Sequence, residues 1–167
     1  DNGSTMNILN CIVNMNSYDN PNLEKIQTPR VICMSKKKDR IERITKYIYF
    51  NDKIPENHSI YAPTTDTNDL KMHNGKTLRK VRHPDKAIKK IVETSIRVIQ
   101  NCIKTNYQDY VDELEDECDD ADPEILKKME EDLNQIMTLA PDDPDLVPKY
   151  MKLFNENKDL VEKTRKL

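Results

Sequence analysis

Residues 44–61 read Ile44-Thr45-Lys46-Tyr47-Ile48-Tyr49-Phe50-Asn51-Asp52-Lys53-Ile54-Pro55-Glu56-Asn57-His58-Ser59-Ile60-Tyr61, and this stretch decides the fold. Aromatics gather here: Tyr47, Tyr49, Phe50 and Tyr61 fall in it, in a chain with seven Tyr, two Phe and no Trp. The apolar run meets Asn51, Asp52 and Asn57, whose side chains can bond nearby backbone groups. Pro55 cannot continue a helix and biases Ile54 toward extended backbone. Ile60 and Tyr61 then resume as an apolar pair. The expected order is a helix end, a self-bonded loop and the first strand of a small sheet.

Upstream, Asp39 to Tyr49 has helical periodicity, with Ile41, Ile44 and Ile48 on one face and Arg40 and Arg43 off it. The cluster Ser35-Lys36-Lys37-Lys38-Asp39-Arg40 leads into that helix. Downstream, Asn74-Gly75 is the best tight-turn signal in the chain, because both residues tolerate positive φ. Leu70 and Met72 before it, and Leu78 and Val81 after it, predict two short strands. The ribbon ends in a second basic segment, Arg79-Lys80-Val81-Arg82-His83.

Farther out, Met6 to Val13 reads as a strand, at an edge or paired with another copy, as readily as one in a core. Asn20-Pro21-Asn22 and Thr28-Pro29 break the chain, and Val31 to Met34 is either a short buried strand or the start of a helix. On the other side, Pro84-Asp85 suits a helix start. From Asp85 to about Glu117, Ile88, Ile91, Val92, Ser95, Ile99, Cys102, Ile103, Tyr107, Tyr110, Val111 and Leu114 make one stripe. Such a helix of roughly 30 residues is about 45 Å long, more than a small sheet covers, so its second half should project or pack on another helix. Its early residues are basic (Lys86, Lys89, Lys90, Arg97) and its late ones acidic (Asp112, Glu113, Glu115, Asp116, Glu117), the reverse of what the helix dipole favours.

Glu115 to Asp122 lacks the glycine that a calcium loop needs at its turn and reads as a solvated hinge. Asp122-Pro123-Glu124 opens another helix, with Ile125, Met129, Leu133, Ile136 and Met137 at coiled-coil-like spacing. After Ala140-Pro141, Asp142 to Asp145 leads into a last helix carrying Leu146, Tyr150, Leu153, Phe154, Leu160 and Val161. The fold class is therefore α+β: a small basic sheet-and-helix module over residues 1–82, followed by a long helix within a largely acidic helical region over 83–167, three helices in all.

At 167 residues the chain suits one ordinary domain with an appendage. With 36% hydrophobic and 34% charged residues, extended helices are favoured over one large core. Two glycines argue against a glycine-dependent phosphate loop. No apolar run approaches the ~20 residues of a membrane span, and no signal peptide is visible. Starting at Asp1, the chain reads as a fragment of a longer protein, with Met6 as the alternative internal start. Cysteines 11, 33, 102 and 118 form no C-x-x-C pair, so neither a zinc site nor any other metal or cofactor is expected, and a reducing compartment suits them. The net charge of −3 hides a polarity: +8 over residues 1–104 against −11 over 105–167.

Phe50-Asn51, three residues, then Pro55-Glu56-Asn57-His58 and Ile60-Tyr61 resemble a segment repeated in uncharacterised C-terminal domains of giant DNA virus proteins of the mimivirus type. There it is similar to F-N-x-x-x-P-E-N-H-N-I-Y followed by a hairpin with a Trp. Ser59 stands here in place of the usual Asn, and Leu78 falls roughly where the Trp would be. The match spans residues 40–82, under a third of the chain. It implies a viral protein acting in the host cytoplasm, in a viral factory, or in the virion, and it implies no catalytic residues.

Three functional readings follow. The first is a non-enzymatic interaction or oligomerisation module, built on helices 85–117 and 124–139, whose partner is a second copy or another viral protein. The second is a nucleic-acid-binding accessory protein contacting DNA or RNA through Lys36, Lys37, Lys38, Arg40, Arg43, Arg79, Lys80 and Arg82, with further basic residues up to position 90. Against it stands the general rule that charge runs are solvated faces. The third is an enzyme, with His58, His73 or His83 assisted by Glu56, Asp66 or Asp69. These fall on loops without diagnostic spacing, whereas metal nucleases need ligands preorganised on rigid elements. In the central motif Phe50, Asn51, Pro55, Glu56, Asn57, His58 and Tyr61 are read as structural, with His58 a loop-ordering hydrogen-bond donor. No small-molecule ligand and no membrane partner are predicted.

Overall fold

A computed structural model of the chain describes residues 14–27, 30–33, 39–117, 122–138 and 143–166. The strand expected over 6–13, the lysines Lys36, Lys37 and Lys38, and the middle of the acidic hinge lie outside the described residues.

Helix α1 (Arg30–Cys33) is a single turn, so the segment whose sequence left strand and helix open is helical. Helix α2 (Arg40–Tyr49) buries Ile44, Thr45, Ile48 and Tyr49, the face predicted from the isoleucine spacing. A short 3-10 turn, Pro55–Asn57, starts at the proline that ends helical continuation. Strands β1 (Ile60–Tyr61), β2 (Lys71–His73) and β3 (Leu78–Lys80) form an antiparallel sheet in the order β1-β2-β3. Ile60 lies opposite Met72, and Met72 opposite Arg79. Gly75 takes φ +93° in the hairpin turn, which L side chains rarely adopt. Asn74 Oδ1 accepts from the Lys76 and Thr77 amides at 3.0 and 2.9 Å and closes the turn.

Helix α3 runs unbroken from Pro84 to Glu117, 34 residues and so about 51 Å. Between Ala87 and Ile103 it buries Ala87, Ile88, Ile91, Val92, Ile96, Val98, Ile99 and Ile103. Helix α4 (Pro123–Thr138) packs back along it. The expected last helix is two: α5 (Leu146–Glu156) and α6 (Lys158–Arg165), with Asn157 between them. The Asn157 side chain donates to the Leu153 carbonyl at 2.8 Å, a local bond that competes with the helix ladder.

One hydrophobic core joins Ile44, Ile48 and Phe50 before residue 82 to Ile88, Ile91, Tyr150, Phe154 and Val161 after it. The boundary expected at residue 82 is therefore not a boundary of the core. The reason is that α5 packs on α3, α2 and β1, and α6 packs on β1, so the last two helices join the sheet-and-helix body. Phe154, fully buried, meets Phe50 and Tyr150 with ring centroids 6.0 Å apart in each case.

Candidate functional site

The central motif is a fastening point. Asn57 is completely buried, and its Nδ2 donates to the carbonyls of Asn22 and Ile48 at 2.8 and 3.0 Å. Its Oδ1 accepts from the Asn22 amide at 2.7 Å and from Asn16 Nδ2 at 3.2 Å. One side chain thus ties the segment around 16–22 to the end of α2, with its whole hydrogen-bonding capacity in use. Glu56 reinforces the same tie through Asn22 Nδ2 at 3.1 Å and Lys25 Nζ at 3.0 Å. Burial alone would raise the Glu56 carboxyl, but its own backbone N–H, Lys25 and Asn22 together hold it below the ordinary value.

His58, 1% exposed, bridges the loop to the last helix. Its Nε2 lies 2.7 Å from the Asn51 carbonyl, which makes that nitrogen the donor, and its Nδ1 lies 2.6 Å from Thr164 Oγ1. Asn51 Oδ1 in turn accepts from the Lys53 amide at 3.0 Å. Tyr61 donates to Glu162 Oε1 at 2.8 Å, a second link to α6. Pro55 opens the 3-10 turn, and Phe50 seals it against Phe154. Both ring nitrogens of His58 are engaged within the protein. His73 is buried too, and its Nδ1 accepts from the Gly75 amide at 3.0 Å. His83 is exposed. Among the described residues no three His, Cys, Asp or Glu side chains converge as a metal-holding group.

Arg40 departs from the expected phosphate contact. It is 7% exposed and holds Asp132 of α4 with two hydrogen bonds of 3.2 Å while donating to the Cys33 carbonyl at 2.9 Å. The isoleucine spacing placed position 40 off the apolar stripe of α2, but α4 covers the start of that helix and takes the guanidinium into a paired, buried site.

Arg43 does face solvent, and with it a groove opens on the outer side of α2. Its volume is about 500 Å³, and Arg43, Lys46, Tyr47, Phe50 and Lys53 line it, with Ile32 at one wall and Asp52 as its carboxylate. Arg43, Lys46 and Tyr47 sit at spacings of three and four, so helical geometry alone brings them together. None of Arg43, Lys46 and Lys53 pairs with a carboxylate among the described residues. Tyr47 is 36% exposed beside them. Lys46 and Lys53 are not among the basic residues that the sequence singles out, and Tyr47 enters there only as one of the gathered aromatics, although the spacing of Lys46 and Tyr47 to Arg43 is visible in it.

The second basic segment lies elsewhere. Arg79 and Lys80 are exposed on the edge strand β3, and Arg82 is exposed in the loop after it. Lys80 stands directly opposite exposed Lys71, a like-charge pair that neither strand neutralises. These residues do not line the α2 groove.

The other conspicuous feature is the far half of α3. Ile103 and Asn106 are the last buried residues among the described side chains of this helix, which continues to Glu117 with α4 alongside as the second member of a two-helix arm. Tyr107 and Ile125 remain 39% and 42% exposed there. Over residues 105–126 the sequence holds ten Asp and Glu and no Lys or Arg. The chain matches no known protein family, no curated protein and no solved structure. No helix among the described residues is long and apolar enough to cross a membrane.

Proposed function

We propose that the protein is a non-enzymatic interaction and oligomerisation module, a basic body that presents an acidic two-helix arm. The observation that carries this reading is the continuation of α3 past the core into an arm with Tyr107 and Ile125 left exposed. Such apolar side chains on a projecting hairpin, in a charged surround, suit contact with another macromolecule. The motif residues support the same reading, since Asn57, His58 and Tyr61 are spent on holding the body together and not on chemistry. The resemblance to giant-virus segments makes a viral protein, including a second copy of the chain, the natural partner.

The α2 groove favours a second reading, nucleic-acid binding, because it sets three cations around an exposed tyrosine. Light scattering on the purified chain, with and without a short DNA duplex at low and moderate salt, separates the two. The interaction reading predicts a mass above the monomer that rises with protein concentration and ignores DNA. A monomer that gains mass with duplex at low salt and releases it at moderate salt would establish the second reading. A monomer that does neither would overturn self-assembly.

A further inference from the structure

We infer that the α2 groove receives the acidic arm of a second copy of this chain, and that two copies exchange arms in a closed, two-fold dimer. The inference rests on the interaction reading and specifies its surfaces.

Charge sets the match. Among the described residues the groove offers Arg43, Lys46 and Lys53 without carboxylate partners and holds only Asp52 against them. The arm offers Asp109, Asp112, Asp122 and Glu124, all exposed, within a stretch that contains no cation. Opposite potentials on two surfaces of one chain steer copies together and fix their register. Apolar contact is available at the same places, Tyr47 in the groove and Ile125 beside Glu124 on the arm.

The chain cannot satisfy its own groove with its own arm. Helix α3 is continuous from the core to Glu117, and α4 is anchored to the start of α2 by the buried Arg40–Asp132 pair. Asp132 lies nine residues from Pro123, so the tip stands roughly 14 Å beyond that anchor along α4, and it has no hinge within α3 on which to fold back. A second copy has no such restriction. A two-fold pairing makes the groove–arm contact twice and closes the assembly, whereas a single contact would propagate a chain of copies. Doubling also matters for size, because stable interfaces bury at least about 1,200 Å² in total, more than one small groove covers.

Nucleic acid suits the groove less well. Arg40, the neighbouring cation, is withdrawn into its pair with Asp132, and Arg79, Lys80 and Arg82 stand apart from the groove. Among the described residues the groove holds three cations with one carboxylate, few for a backbone track, and the arm of the same chain repels phosphate.

The test is a complementary charge swap, read by analytical ultracentrifugation of the full chain. One variant carries Arg43→Glu, Lys46→Glu and Lys53→Glu; the other carries Asp109→Lys, Asp112→Lys and Glu124→Lys. All six positions are exposed, and circular dichroism checks that each variant keeps its helices. The wild type should dimerise at low salt, with the dissociation constant rising at least about tenfold at high salt as the charges are screened. Each variant alone should be monomeric, since at the altered positions groove and arm then present the same sign. An equal mixture should restore the dimer, because the altered positions of each variant again meet side chains of opposite sign on the other. A dimer that survives both sets of changes would overturn the groove assignment while leaving the interaction reading standing. Variants that stay monomeric when mixed would also overturn it, as would a wild type that is monomeric at low salt. If that monomer binds duplex and the groove variant does not, the groove belongs to nucleic acid.

Discussion

The contact between Arg40 and Asp132 decides whether α4 is part of the body or a loose appendage, and Asp132→Ala interrogates it. The two side chains are 8% and 4% exposed, and two hydrogen bonds of 3.2 Å join them. Removing the carboxylate leaves a guanidinium out of water with, among the described residues, only the Cys33 carbonyl, 2.9 Å away, to receive a hydrogen bond. Breaking one partner of a buried pair costs about 3–5 kcal/mol. For a chain of this size each kcal/mol lowers the midpoint by about 2–4 °C, which gives a fall of roughly 6–20 °C. The loss can also appear locally, as undocking of α4 before the core melts. The assay is therefore far-ultraviolet circular dichroism followed through a thermal melt, with amide exchange along α4. Arg40→Met combined with Asp132→Leu removes both charges and keeps apolar volume, and it should recover most of the loss. An Asp132→Ala protein with full helicity, protected α4 amides and a midpoint within about 1 °C of wild type would refute the account, since that is under 0.5 kcal/mol.

Two further predictions concern the motif. Asn57→Asp should destabilise by about 3–5 kcal/mol in urea unfolding, because it replaces the Nδ2 that donates to the Asn22 and Ile48 carbonyls with an oxygen that repels both and buries a charge; an unchanged urea midpoint would remove Asn57 from its role as a tie. Acid should weaken the fold through His58 and His73. Burial first of all pushes both imidazoles below their ordinary value of 6.5, in His73 with Arg165 adding to it, and in His58 against the Asn51 carbonyl, Asp52 and Glu56. Their neutral forms belong to the folded state, so their contribution is full above pH 6.5 and is lost as pH falls through and below it, with a combined slope of at most about 2.7 kcal/mol per pH unit. Unfolding free energies that stay level from pH 7 to 5, with His58→Gln and His73→Gln showing the same profile, would contradict this.

The sheet was legible because its signals are local. Asn74-Gly75 fixes the hairpin, Pro55 ends helical continuation, and Leu70 and Met72 alternate with polar neighbours. Helix α3 was legible because its apolar stripe persists over many turns. Arg40 was misread because nothing near it in sequence announces Asp132, which is 92 residues away; a lone arginine at the edge of an apolar stripe looks the same whether solvent or a helix covers it. The split of the last helix at Asn157 rests on one side-chain bond to Leu153, a competition that propensity alone does not decide. The placing of α5 and α6 against β1 depends on Phe154 and Val161 finding Phe50 and its neighbours, a tertiary choice that periodicity cannot express. Of the candidate basic residues among those described, only Arg43 joins the groove; Lys46 and Lys53, which complete it with Tyr47, are single lysines outside the two basic runs that the sequence displays.

The arm poses a problem that the fold itself does not solve. Acidic residues at the C-terminal end of α3 face the negative end of the helix dipole, and no basic residue falls in its last turn. Glu124 at the start of α4 is favourably placed by the same rule, but it adds to the negative charge around the tip. A tip with no cation over residues 105–126 therefore repels itself, and packing between α3 and α4 must offset that repulsion. Stability of the isolated chain would be better served by a few lysines there. Cations are instead gathered at the α2 groove, where Arg43, Lys46 and Lys53 repel one another in the same way. Two separated concentrations of opposite sign, each unfavourable alone, become favourable together when surfaces from different copies meet. On that ground the charge pattern favours the proposed assembly.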